Sequence, residues 1–250
     1  MKVSLITVVF NGEAFLKDCI ESVIAQDYDD IEYIVIDGAS KDNTLSIINQ
    51  YSSHISQFIS EPDKGLYDAI NKGIDLASGD VIGLLNADDM LASNDVITKI
   101  VALFNNDAAL EAVYGDLNYV HPHTLKIIRK WKSRQAEKKD LLNGWMPAHP
   151  TLYIKKDTLK KHGNYALDLG TAADYDLILR YLYVYEIRIK YLPMLMVNMR
   201  MGGVSNGTLK AIWLAAKNDF IALKRNKLPL PLITLMKKKL LKFEQFMIKL

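Results

Sequence analysis

The chain has 250 residues, of which 50% are hydrophobic and 24% charged, a balance that suits an ordinary globular protein and argues against disorder. A single cysteine, Cys19, excludes an internal disulfide and a cysteine-rich zinc site, and the lack of any apolar stretch approaching 18 residues excludes a membrane-spanning helix, so the cytoplasm is the expected compartment. Charge is uneven: ten Lys/Arg against Asp219 and Glu244 give residues 209–250 a net +8, and with +2 overall the first 208 residues carry −6, an acidic body whose basic tail calls for an anionic partner.

The first apolar run, 3–10, follows Lys2 as in a signal peptide, but no small-residue cleavage site comes after it. Asn11 and Gly12 open a helical pattern instead, so the run reads as a buried strand. Phe15, Leu16, Cys19, Ile20, Val23 and Ile24 form one helical stripe, which puts Cys19 in the core. A strand at 31–36 precedes a helix whose polar start lies at 42–44. A strand at 57–60 leads into a helix over 65–77, stopped by Ser78 and Gly79, and 81–85 is a fourth strand. Strands alternating with helices predict βαβ units and a mainly parallel sheet. Beyond Ala108 the rhythm changes: "EAVYGDLNYVHPHTLKIIRKW" reads as strand, turn and strand, adding antiparallel elements. A short helix ends at His162 and Gly163, and a stronger one starts near Asp174. The expected organisation is one mixed α/β domain over 1–205, divided near 107, and a helical tail over 206–250.

Ligands of open α/β sheets bind beyond the carboxyl ends of the strands, and here those ends are polar. They are Phe10-Asn11-Gly12, Asp37-Gly38-Ala39-Ser40 and Asn86-Ala87-Asp88-Asp89. In "GDVIGLLNADDML" an apolar strand runs into two adjacent carboxylates, which repel each other and are costly to bury unpaired, so a positive partner is expected, first of all a bound cation. "VVFNGEAF" is neither a dinucleotide-binding turn nor a P-loop, so a diphosphate would have to be neutralised another way, by Mg2+ or Mn2+ held on carboxylates.

Four motifs in order, "SLITVVFNGEAFLKDCIESVIAQDY", "EYIVIDGASKDNT", "EPDKGLYDAINKGIDLASGDVIGLLNADD" and "GTAADYDLILRY", resemble the inverting family 2 glycosyltransferases of glycosyltransferase-A fold. The third looks most like transferases that assemble bacterial capsule, O-antigen and exopolysaccharide repeat units. The resemblance implies a Rossmann-like mixed sheet flanked by helices, with a nucleotide-sugar half over about 1–107 and an acceptor half over about 108–205. It also implies that Asp37 contacts the nucleotide base and that Val9, Phe10 and Asn11 line its pocket. Asn86-Ala87-Asp88 matches the family's Asp-x-Asp, with Asp88 as the principal ligand of Mn2+ or Mg2+ and Asp89 assisting it or orienting the sugar. Asn86 departs from that pattern and brings no charge. Lys64, Gly65 and Asn71 match donor-contacting positions. Asp174 matches the catalytic base, Asp176 is a substitute for it, and His149 in "MPAHPTLY" falls on an acceptor-side loop.

The implied activity is metal-dependent transfer of one hexosyl or N-acetylhexosaminyl group from a nucleotide sugar, a UDP-sugar in the first instance, to a lipid-pyrophosphate-linked saccharide at the inner membrane face. A catalytically impaired carbohydrate-binding or scaffold relative is the alternative, motivated by Asn86 and Ala173. A sugar-nucleotide pyrophosphorylase is disfavoured, since "FNGEAF" lacks that class's Gly-rich, Arg-containing loop. No Gln-x-x-Arg-Trp motif is present, which argues against processive synthesis. "MRMGGVSN", 199–206, is expected to be a flap hinged at Gly202 and Gly203. The tail's aliphatics among lysines suit an amphipathic helix on an anionic membrane, with packing on the domain or on a homodimer partner as the other options, and nucleic acid is not an expected partner.

Overall fold

β1 (Val3–Val9) is buried along its whole length, which is why its sequence is an unbroken apolar run. It sits between β2 (Ile31–Asp37) and β4 (Val81–Leu84), with β3 (Gln57–Ser60) beyond β2, and all these pairings are parallel. α1 (Leu16–Ile24), α2 (Thr44–Gln50) and α3 (Leu66–Leu76) make the crossovers expected from the alternating pattern. The remaining elements are β5 (Met90–Leu91), α4 (Val96–Asn106), β6 (Ala112–Val120), β7 (Ile127–Trp131), α5 (Lys138–Leu142), β8 (Tyr153–Lys155), α6 (Lys156–His162), α7 (Ala173–Ile178), β9 (Ile189–Arg200), α8 (Leu209–Arg225) and α9 (Pro231–Met247). The computed structural model describes residues 1–202 and 209–247, so the second half of the expected flap, 203–206, lies outside the described residues.

The nine strands form one sheet in the order β3-β2-β1-β4-β8-β6-β9-β5, with β7 on β6. β8 is antiparallel to both β4 and β6, and β9 is parallel to β6. Hence β1 to β4, β6 and β9 all point the same way, and one edge of the sheet collects their carboxyl ends together with the amino end of β8. β1 alternates across the sheet: Val3, Leu5 and Val9 face a core with α1 and α4, Ile6 and Val8 one with α3, α7 and α8. The second core contains Ala222 and Leu223 of α8 and Leu228, so the C-terminal helices pack on the body. Among the described residues no helix is long and apolar enough to cross a membrane.

β9 is the element the sequence hid. Pro193 within it cannot donate to a ladder, and the register between β6 and β9 slips there, Tyr114 facing Tyr191 but Asp116 facing Leu195. Gly115 permits this close approach, because a Cβ there would meet Met194 O at 2.8 Å and Met196 Sδ at 2.4 Å.

At the opposite sheet edge, the buried Glu32 ties β1, β2 and the α3–β4 turn together. It accepts hydrogen bonds from Ser4 Oγ (2.5 Å), Ser78 N (2.7 Å) and Ser78 Oγ (2.6 Å). Burial alone would raise its carboxyl, but these donors and Lys2 hold it down at about 2. Since the folded value lies below the unfolded one, its contribution is complete above about pH 5 and fades as pH falls toward 2. Glu32→Gln is expected to cost about 1–3 kcal/mol in urea denaturation at pH 7, and the gap to the parent should narrow on acidification.

Candidate active site

At the carboxyl edge the loops after β1 and β2 are stitched to one another. Asn11, in the left-handed region at φ 52°, donates its N–H to Ser40 Oγ at 2.7 Å and accepts from Lys41 N at 2.8 Å. Gly12 N donates to Thr44 Oγ1 at 2.9 Å. Asp37 is fully buried, its oxygens taken by Ser40 N, Ser40 Oγ and Ser60 Oγ (2.6 Å), so it organises the 38–41 loop and shows no face to solvent. Val9 is buried beneath, whereas Phe10 is 64% exposed, an aromatic ring left at the mouth of the crevice. Lys64 is exposed just before α3, and its N–H donates to Asp68 Oδ2 at 2.9 Å. Gly65, at φ 115°, has open space where a side chain would be.

Beyond β4, Asp89 is 1% exposed. Its carboxylate accepts from Asn86 Nδ2 (3.0 Å) and from the backbone N–H of Arg200 (3.1 Å). Burial, and then the charge of Asp88, push its carboxyl well above the usual range. Burial also raises Asp88, against the pull of Arg200. The Asp88 carboxylate has no hydrogen-bonding side chain among the described residues, and it is the group of the pair left for a cation. The positive partner anticipated for these carboxylates is in part Arg200, which sequence reading passed over as flap. Its buried guanidinium donates to Asp88 O (2.9 Å) and Pro122 O (2.9 Å), contacts the Asp18 carboxylate, and lies 4.7 Å from the Phe15 ring centroid. No group of three or more His, Cys, Asp or Glu able to hold a metal by themselves exists among the described residues. One free carboxylate is nevertheless the donor set that Mg2+ or Mn2+ takes when phosphate oxygens and water complete its shell, so the residues fit such an ion.

The second half of the chain supplies a second constellation. Asp174 stands in the first turn of α7, its side chain 14% exposed, and accepts from Tyr175 N at 2.7 Å. His149 Nδ1 comes within 3.0 Å of Asp174 Oδ2, off the line of a ring N–H hydrogen bond. The turn His149–Thr151 that carries it contacts β4 and β9, with Thr151 Oγ1 on Ala148 O (2.7 Å) and Gly115 O (3.1 Å). The Tyr67 hydroxyl interacts with Asp174, and its ring stacks on Tyr165 at 5.4 Å. Burial, then the charge of Asp174, push that phenol up. Tyr67 escaped sequence reading, where only its place on the α3 motif was visible.

Besides Asp37, two more expected site residues are engaged by the scaffold. Asn71 exchanges hydrogen bonds with the Tyr165 backbone, Nδ2 to O at 2.9 Å and N to Oδ1 at 3.1 Å, so its amide is spent clasping α3 to the 165 segment. Asp176 is 2% exposed, bonded by Asn226 Nδ2 at 2.8 Å and paired with Arg180 at 3.5 Å. As a buried tie to the C-terminal helices it is no substitute for Asp174, a correction to the expectation above.

The model of the Glycosyl transferase family 2 matches residues 4–162. A PGL/p-HBAD biosynthesis glycosyltransferase of Mycobacterium tuberculosis is 28% identical over 210 residues, 81% of this chain and 78% of its own. An uncharacterised glycosyltransferase of the same organism is 32% identical over 186 residues, 71% of this chain and 68% of its own. Residues 1–349 of S. aureus TarS, solved with UDP-GlcNAc, match with a TM-score of 0.73 at 16% identity, over 98% of this chain and 73% of that one. A mannosyltransferase from Pyrobaculum calidifontis, solved with GDP-Man and Mn2+, matches with a TM-score of 0.62 at 17% identity, over 96% and 69%. The architecture is the glycosyltransferase-A type that the motifs implied.

Arg200→Gln should expose how much the crevice depends on its cation. With two backbone carbonyls and Asp18 deprived of their donor, stability measured by urea denaturation is expected to drop by about 2–4 kcal/mol. A change below about 0.5 kcal/mol would show that Arg200 is not the lock described.

Proposed function

The chain belongs to glycosyl transferase family 2 and is a glycosyltransferase, and from that premise we propose that it transfers a single hexosyl or N-acetylhexosaminyl group, with inversion, from a UDP-sugar to a saccharide hydroxyl on a lipid-pyrophosphate carrier. The product would be part of a bacterial surface polysaccharide, built at the inner face of the cell membrane. The observation that carries the reading is the Asp174–His149 pair at 3.0 Å, on the same sheet edge as Asp88. A base and a cation-accepting carboxylate are what sugar transfer from a diphosphate needs. UDP-GlcNAc in the TarS structure supports the choice of nucleotide, and Mn2+ in the mannosyltransferase supports a divalent ion.

In this reading the acceptor hydroxyl gives its proton to Asp174 as its oxygen bonds to the anomeric carbon. The carbon–oxygen bond to the diphosphate breaks on the opposite face, its electron pair leaving with the nucleotide, which inverts the centre. His149 and Tyr67 neighbour the Asp174 carboxylate and add to its setting. Lys64, beside the open backbone at Gly65, offsets phosphate charge. Phe10 offers a face to the base, with Val9 and Asn11 behind it, while Asp37 acts on that pocket by holding the Ser40 loop. Mn2+ or Mg2+ on Asp88, backed by Asn86 and Asp89, would supply positive charge to the departing diphosphate. With Asp174, His149 and Asp88 all in place, turnover is favoured over a non-catalytic carbohydrate-binding or scaffold role.

Asp174→Asn keeps the shape of the side chain and removes its proton acceptor. The transfer rate is expected to fall by about 10²–10⁴-fold, with donor affinity within a few-fold of the parent. Transfer kinetics beside a melting curve decide it, and near-normal transfer would remove Asp174 as the base.

Asp88→Ala tests the metal separately. Calorimetry with UDP is expected to show the Mn2+-dependent part of binding largely lost, since the free anionic ligand is gone. Equal affinity with and without metal in both proteins would reject a metal bridge.

A further inference from the structure

α9 packs on the body through a mixed side, with Leu235 against the core and Thr234 and Lys238 beside it. Thr234, 2% exposed, donates to Leu142 O at 3.0 Å. One turn on, Lys238 donates to Asp219 Oδ1 at 2.8 Å, its ammonium 3.4 Å from the Tyr175 ring centroid. Gly144, at φ 79°, admits the helix closely, since a Cβ there would meet Lys238 N at 2.5 Å. These anchors fix the rotation of the helix, and that rotation turns Leu232, Ile233, Met236 and Leu240 to solvent at 61%, 46%, 60% and 64% exposure. Among the described side chains of α8 and α9 the one acid, Asp219, is buried beneath Lys238 and Lys239. Lys237 and Lys239 are exposed among these aliphatics, Lys224 and Lys227 are exposed at the end of α8 and in the turn that leads to α9, and no exposed acid stands among the described side chains of the two helices.

We propose that this lysine-framed aliphatic stripe seats the enzyme on an anionic bilayer, with the side chains at the boundary between headgroups and acyl chains. The proposal rests on the lipid-borne acceptor inferred above. It goes further in naming the face that docks and where docking puts the active site. The inward side of the helix touches Tyr175, next to Asp174, and the loop at Gly144 that leads to His149. The candidate base therefore lies about one helix diameter, roughly 10–12 Å, behind the lipid surface, within reach of a sugar still close to its carrier. A second copy of the chain fits the stripe less well, because a two-fold contact would bring the lysine frames against each other.

Substitution is the right test, because deleting α9 would also remove the Thr234 and Lys238 anchors. The variant Leu232→Gln, Met236→Gln, Leu240→Gln changes outward side chains only. The parent is expected to co-sediment with phosphatidylglycerol-containing vesicles and at least about tenfold more weakly with pure phosphatidylcholine vesicles. The variant should lose at least about tenfold of the first binding, with an unchanged melting temperature. A second variant, Lys224→Gln with Lys227→Gln, should bind severalfold more weakly at low salt and guards against a misfolded first one. Equal binding by parent and variants would overturn the proposal, as would a parent dimer in sedimentation velocity that the triple variant dissolves. Hydrolysis of soluble UDP-sugar, measured in parallel, reports on the proposed reaction alone, so failure of that reading and failure of the docking face are told apart.

Discussion

Two neighbouring carboxylates at the end of a buried strand must be balanced, and the site is arranged around how this is done. Asp89 goes inward and takes two N–H donors, from Asn86 and from Arg200. Arg200 then spends its guanidinium on Asp88 O, Pro122 O and Asp18, so the end of β9 is fastened to the loop after β4, to the turn between β6 and β7, and to α1. An unpaired buried charge is among the costliest faults a fold can carry, which gives this lock its weight. What it leaves over is one carboxylate, Asp88, without a hydrogen-bonding side chain among the described residues, at the carboxyl edge of the parallel strands.

The two halves of the crevice are held by different kinds of contact. Between β1 and β2, loops 10–13 and 38–44 bond each other across a short span between neighbouring strands. Around Asp174 the ties join distant parts of the chain. Asn71 and Tyr165 are 94 residues apart, and Asn226 and Asp176 are 50 apart. Such contacts carry more loop-closure entropy and depend on several elements being in place together. The geometry of the Asp174–His149 pair is therefore sensitive to α8 and α9, helices that touch neither residue's reacting atoms.

That difference also explains what the sequence could disclose. The parallel half was legible because each of its elements declares itself locally: apolar runs of strand length, helical stripes, and polar turns at strand ends. Asp174, Asp88 and His149 are singled out by motif or setting, and the structure brings Asp174 and His149 together. β9 did not, since Pro193 breaks the pattern of a strand that tolerates it only through a bulge opposite Gly115. Asn71 and Asp176 looked like site residues because polar side chains beside a motif invite that reading, while their partners lie too far along the chain for any periodicity to point at them. Arg200 could have been anticipated from charge balance alone, which called for a positive group beside Asp88 and Asp89 without saying which.

Asn86 looks like a weakened Asp-x-Asp when only the motif is compared. Its amide donates to Asp89 Oδ2 at 3.0 Å, and Asp89 is buried against the charge of Asp88. An aspartate at 86 would remove that donor and set a third negative charge beside two whose carboxyls burial already raises. The amide is thus what lets Asp89 stay inside and hold the Arg200 backbone. The departure from the family pattern relocates charge: with an amide at 86, Asp89 is held inside and Asp88 is the less buried carboxylate of the pair.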